Sequence, residues 1–140
     1  MEDHRYLELR HDKFVFRVRT DRRYSDQDTW VRLEDGEAVI GLSDFRQQAI
    51  GDLTFATPLP EGALVAEGGP LAELETMKTA FDVASPLAGT VLRANHALST
   101  TPELINQDPY GEGWLVRLAP ASPQAIESLL SPGSTWPPWL

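Results

Sequence analysis

The chain has 140 residues and a mass of 15.5 kDa, the size of one domain with short appendages, and its 41% apolar and 24% charged composition is that of a globular protein. Cysteine is absent, which excludes structural disulfides, thiolate metal sites and a cysteine nucleophile, so any redox sulfur must be brought in. The formal charge of −9 speaks against non-specific nucleic-acid binding, and it is unevenly spread: residues 1 to 23 hold seven of the twelve basic residues against five acids, leaving a body with five basic and sixteen acidic residues.

In the leader, residues 1–23, Phe14, Phe16 and Val18 alternate with Lys13, Arg17 and Arg19, which predicts an extra strand, most simply one that covers a sheet edge. Trp30 to Leu33 and Ala38 to Gly41 flank an acidic turn containing Asp35-Gly36 and read as a hairpin. A helix of about two turns starts at Ser43 or Asp44, buries Leu42, Phe45, Ala49 and Ile50 on one side, and stops at Gly51. From Leu53 to Leu98 short apolar pieces are punctuated by proline and glycine, the pattern of several short strands. Within this half Thr57-Pro58-Leu59 is echoed by Ser85-Pro86-Leu87, and Leu64-Val65 by Val91-Leu92, which fits two quasi-equivalent sheet halves. Thr101-Pro102-Glu103 offers an N-cap and a first-turn proline, Asp108-Pro109-Tyr110-Gly111 a type I turn, and Trp114, Val116 and Leu118 a last strand. Ser122-Pro123 opens a short helix with Ile126, Leu129 and Leu130 on one face, and residues 131–140 form an irregular tail whose tryptophans pack back onto the body.

Lysine occurs twice, at Lys13 in the leader and Lys78 in the body. A strand ending at Met77, with Ala72, Leu74 and Thr76 on one side and Leu71, Glu73 and Glu75 on the other, and a second strand carrying Phe81 and Val83 put Lys78 at a hairpin tip. An arbitrary lysine in a turn is merely solvated. A tip on rigid strands, however, is also what an enzyme needs to enclose an amine for modification, and what a carrier needs to swing a cofactor into a partner's cleft.

The segments GDLTFATPLPEG, ETMKTAFDVASPLAGTV and PELINQDPYGEGWLVRL, in that order, closely resemble the H protein family of the glycine cleavage system. Trp30-Val31-Arg32 after Tyr24, and GLSDFRQQAIGDL, resemble its opening segment, so the resemblance covers residues 24–130. It implies a mostly β fold, a barrel-sandwich hybrid of the lipoyl and biotinyl carrier type with short flanking helices. It also implies a non-catalytic carrier with lipoic acid amide-linked to Lys78, whose arm Glu75 and Asp82 are placed to contact. The partners implied are a lipoate ligase or lipoyl transferase, then glycine decarboxylase, aminomethyltransferase and dihydrolipoyl dehydrogenase, between which an aminomethyl group is shuttled. The expectation is a cytoplasmic monomer that binds neither nucleic acid nor membrane.

Three departures qualify the resemblance. The family's Glu-Ser-Val-Lys-Ala is Glu75-Thr76-Met77-Lys78-Thr79 here; the methionine is also a feature of biotin carriers, which lack the preceding helix and the DPYGEGW segment. The His-Glu that normally precedes the tryptophan is Asp28-Thr29, and a threonine lacks the carboxylate that pairs with an amine. The leader is extra. An alternative within the same class is an H-protein-like lipoate-binding protein serving a heterodisulfide-reductase-like sulfur-oxidising complex, and a third reading is an unmodified binding or scaffold module. His4, His11 and His96 show no metal-ligand spacing, and neither a phosphate-binding glycine loop nor a nucleophile elbow is present.

Overall fold

A computed structural model describes residues 5–139, and the chain is mostly β, as its punctuated apolar segments predict. The leader contributes two strands rather than one: β1 (Tyr6–His11) pairs antiparallel with β2 (Phe14–Arg19) in a sheet of their own. It is therefore no edge strand of a larger sheet. The free edge of β2 is satisfied by side chains instead: Asp44 accepts the Arg17 N–H at 2.8 Å, Tyr110 Oη–H donates to the Arg17 carbonyl at 2.7 Å, and the Gln48 amide donates to the Val15 carbonyl at 2.9 Å.

The chain continues through β3 (Arg23–Tyr24), β4 (Thr29–Glu34), β5 (Glu37–Leu42), α1 (Asp44–Ile50), β6 (Leu53–Pro58), β7 (Leu64–Val65), β8 (Pro70–Thr76), β9 (Ala80–Ala84), β10 (Gly89–Ala94), α2 (Leu104–Gln107) and β11 (Val116–Pro120). A six-stranded sheet has the order β3-β4-β5-β11-β10-β7, and a three-stranded sheet the order β6-β8-β9. The expected hairpin is β4–β5, turning at Asp35 and Gly36 with φ of 54° and 78°, the two left-handed residues that a two-residue turn of this twist requires. The segments that carry part of the internal echo, β7 and β10, are antiparallel neighbours in the six-stranded sheet, with Leu64 paired to Thr90 and Val65 to Gly89.

Helix α1 begins where Ser43 caps it, its side chain accepting the Arg46 N–H, and ends at Gly51 with φ of 84°. Its burial differs from the expected one-sided pattern: Leu42 is buried as the last residue of β5, Phe45 and Ile50 are half-buried, and Ala49 is exposed. A seven-residue surface helix roofed by the leader hairpin has no fully buried face. Similarly, Leu71 does not share the outer side with Glu73 and Glu75. An irregularity in the β8–β9 pairing between Pro70 and Ala72 breaks the alternation, and both Leu71 and Ala72 are buried. The helix expected from Thr101 starts later, at Leu104, with Ile105 as its buried residue, and Leu115, just before β11, is buried as well as Val116.

Two apolar clusters result. One lies between the sheets around Ile40, Leu74, Leu87, Val91 and Leu118. The other joins leader, body and tail around Phe16, Tyr24, Trp30, Tyr110 and Trp136. Trp136 packs back as expected, fully buried and stacked on Tyr24 at 4.3 Å, while Trp139 meets His11 at 4.5 Å and Phe45 at 4.6 Å. The Asp108–Gly111 turn closes with Gly111 N–H on the Asp108 carbonyl at 3.1 Å, and Pro109 offers its carbonyl to the Trp30 indole N–H at 2.9 Å. Arg22, almost wholly buried, lies on the Trp30 ring at 4.2 Å and donates to the Tyr110 carbonyl at 2.6 Å.

Candidate functional site

Lys78 sits where the sequence places it, in the turn joining β8 to β9. Thr76 builds that turn. Its N–H donates to the Thr79 carbonyl at 2.9 Å, and its Oγ1 accepts the N–H of Lys78 and of Thr79, each at 3.3 Å. Met77 is 88% exposed beside an exposed Lys78, and among the described residues the Lys78 amine makes no ion pair or side-chain hydrogen bond. The backbone is thus held while the amine is free, which fits covalent attachment of an acyl group.

The strands below the turn sort charge by face. Leu74 pairs with Phe81 on the inward side, whereas Glu73 with Asp82 and Glu75 with Ala80 occupy the outward side. Phe55, 64% exposed, and Thr57 complete that outer face through pairing with Glu75 and Glu73. Glu73 and Asp82 are directly opposed like charges, an arrangement that costs stability by a few tenths of a kcal/mol, roughly, and makes the face anionic. Glu75 and Asp82 therefore lie on one face close to Lys78, Glu75 half-buried and Asp82 exposed.

On the inward rim the neighbour is a cation that sequence patterning did not single out. The Arg46 guanidinium, from α1, stands 5.3 Å from the Phe81 ring centre. The contact joins a helix to a strand remote in sequence, so no periodicity signals it. Asp28 is in the left-handed region at φ 66°, and burial pushes its carboxyl above the ordinary carboxylate range against the opposing pull of Arg46 and the Trp136 indole. Thr29 is fully buried, its Oγ1 2.7 Å from Ser25 Oγ and its backbone paired with Leu42. It faces the interior. A cleft of about 630 Å³ lies at the far end of β9 from Lys78, lined by Tyr24, Ser25, Gln27, Glu67, Ser85 and Leu130 among others.

The histidines are accounted for separately. His11 packs on Trp139 and Phe45, His96 pairs with Glu61 at 2.8 Å, and His4 lies outside the described residues. Among the described residues no group of three His, Cys, Asp or Glu is arranged to hold a metal ion, and no helix is long and apolar enough to cross a membrane.

A small mostly β domain that presents one lysine on a tight, side-chain-braced hairpin tip has the architecture of a prosthetic-group carrier domain. The family model for glycine cleavage H-protein matches residues 22–135. A probable glycine cleavage system H protein of Aeropyrum pernix is 43% identical over 118 residues, 84% of this chain and 82% of that protein. The glycine cleavage system H protein of Nitratidesulfovibrio vulgaris is 45% identical over 112 residues, 79% and 88% of the two chains. The crystal structure of a glycine cleavage system H protein from Mycobacterium marinum superposes with a TM-score of 0.74 at 30% identity, covering 81% of this chain and 92% of that one. The chain belongs to the glycine cleavage H-protein family. Membership makes it a non-catalytic carrier with a role in glycine cleavage, in a family that carries lipoate on a lysine. The sulfur-oxidising alternative gains no support from these relatives, all of which are described as glycine cleavage H proteins. The leader hairpin, residues 6–19, falls outside the family match.

Proposed function

We propose that the chain carries lipoate in amide linkage on Lys78 and moves it between glycine decarboxylase, aminomethyltransferase and dihydrolipoyl dehydrogenase in the cytoplasm, after attachment by a lipoate ligase or lipoyl transferase. The observation that carries this reading is the position of Lys78: exposed, unpaired, and on a turn whose backbone Thr76 braces. Lipoate, when attached, supplies the reversible disulfide chemistry that a cysteine-free chain lacks. The protein's own contribution is positional. Thr76 holds the amine away from the body so that a modifying enzyme can close over it, and the outward carboxylates of Glu73, Glu75 and Asp82 steer docking to basic surfaces on partners.

The test is the intact mass of the protein isolated from lipoate-replete cells, with peptide mapping of Lys78 and a Lys78→Arg control. The expected result is a lipoyl increment on Lys78 that the control lacks. A bare Lys78 overturns the reading in favour of an unmodified binding module, and a biotin increment moves the chain to the carboxylase carriers.

A further inference from the structure

Five basic residues serve the body of the protein, and most of them are committed or remote. Arg32 is paired with Glu34, and Arg117 with Glu34 and Glu37, all on the six-stranded sheet, where Arg93 also lies on β10. Lys78 loses its charge on acylation. Arg46 remains. Among the described residues its guanidinium makes no ion pair and donates no hydrogen bond, and it is parked on the Phe81 ring at 5.3 Å.

The position of this cation relative to the carrier lysine is the informative part. Phe81 is three residues beyond Lys78, so at most about 11 Å of chain separates them, a span shorter than an extended lipoyl-lysine arm. The carboxylates of Glu73, Glu75 and Asp82 belong to the opposite face of the strands, with the sheet between them and the Phe81 rim. On the helix itself the Asp44 carboxylate is occupied by the Arg17 N–H and the Gln47 amide, both at 2.8 Å. Asp28, from the turn before β4, is a titratable group whose charge is coupled to Arg46, and its burial disfavours the ionised form. An arm folded onto this rim thus meets an aromatic surface for its aliphatic part and, for its sulfur end, a guanidinium that makes no ion pair among the described residues.

We propose that Arg46, held on Phe81, receives the sulfur end of the lipoyl arm in its reduced state and stabilises it as a thiolate, the thiol proton passing to solvent. This rests on the reading of Lys78 as the lipoyl lysine. Arg46 is a positioning residue here: a nearby cation lowers the pKa of a thiol and raises its thiolate fraction near neutral pH.

The experiment uses the full chain lipoylated on Lys78 by a lipoate ligase, reduced, freed of reductant, and alkylated with iodoacetamide across pH 6 to 10, with mass spectrometry following each thiol. The expected result is an apparent thiol pKa below that of free dihydrolipoamide, and alkylation near pH 7.5 about threefold to fivefold faster than in Arg46→Gln. Arg46→Lys, which keeps the charge, restores most of the difference, a rescue that a purely structural role of the side chain does not predict. Equal titration of the wild-type arm, the Arg46→Gln arm and free dihydrolipoamide overturns the inference while leaving the carrier reading intact. Failure of Lys78 to accept lipoate in the wild type instead overturns the carrier reading and takes this inference with it.

Discussion

Replacing Thr29 with glutamate restores the residue that the family normally has before the tryptophan, and sequence comparison alone suggests that it should rebuild a carboxylate for an amine. The structure predicts the opposite outcome. Thr29 is fully buried, hydrogen-bonded to Ser25 Oγ at 2.7 Å, and locked in the β4–β5 ladder opposite Leu42. The substitution removes that hydrogen bond, worth about 1 kcal/mol. It adds side-chain volume to a packed site at a cost of about 1–3 kcal/mol. It also buries an acid whose charged form is penalised by roughly 1.4 kcal/mol for each unit by which its pKa is raised. A total loss of about 3–5 kcal/mol takes much of the stability of a domain this size. Urea denaturation of wild type and Thr29→Glu at pH 7.5 and pH 5 measures it. Because the buried acid has a folded pKa above its unfolded one, its ionisation penalty is absent below about pH 4 and grows as pH rises, so the deficit should shrink at pH 5. Equal denaturation midpoints at pH 7.5 would show that the side chain escapes outward, and the argument from burial would fail.

Other substitutions probe the second cluster and its surroundings. A Cβ on Gly41 would lie 2.6 Å from two carbons of the Trp30 indole, so Gly41→Ala must displace a ring that is hydrogen-bonded to Pro109; the expected loss is about 2–3 kcal/mol by denaturation, with a changed tryptophan emission. Trp136→Ala removes a buried ring stacked on Tyr24 and should cost about 3–5 kcal/mol, whereas an unchanged melting temperature would mean that the tail is not part of the folded unit. Asp28→Asn keeps a side chain that tolerates the left-handed backbone. Since burial raises the Asp28 carboxyl, the native residue costs stability once ionised; Asn should therefore stabilise the fold at pH 7 and confer no gain near pH 3, by parallel thermal melts.

What was legible in the sequence was what local chemistry decides. Asp35-Gly36 specifies its hairpin turn, Ser43 and Gly51 bracket α1, and alternation around Leu74 and Phe81 leaves Lys78 at a tip, all without reference to the rest of the fold. What was not legible depends on long-range contact. The alternation in Phe14 to Val18 announces a strand but cannot say that β1 is its partner, nor that Asp44, Gln48 and Tyr110 plug its free edge. An irregular pairing inverts the expected orientation of Leu71, and Ala49 is exposed because the leader and α2 cover other parts of α1. Thr29 looked like a lost site residue because sequence comparison carries no information on which way a strand residue points.

The same distinction orders the site itself. Charge on the lysine hairpin is separated by the two-residue period of its strands, which puts Glu73, Glu75 and Asp82 outward and Leu74 and Phe81 inward. The outward face carries an electrostatic signature that a docking enzyme can read at a distance. The inward rim has an environment chosen by tertiary packing, since Arg46 reaches Phe81 only because α1 is fixed in place. Its first-turn Asp44 binds the Arg17 N–H, its Gln48 binds the Val15 carbonyl, and its Phe45 packs against Phe14 and Phe16 of the leader. The leader, which adds nothing to the lysine turn directly, thus bears on the chemistry of the arm by holding the helix that carries the guanidinium. Substitutions that loosen the hairpin, such as Phe16→Ala, should therefore weaken the effect of Arg46 on the arm before they alter acylation of Lys78.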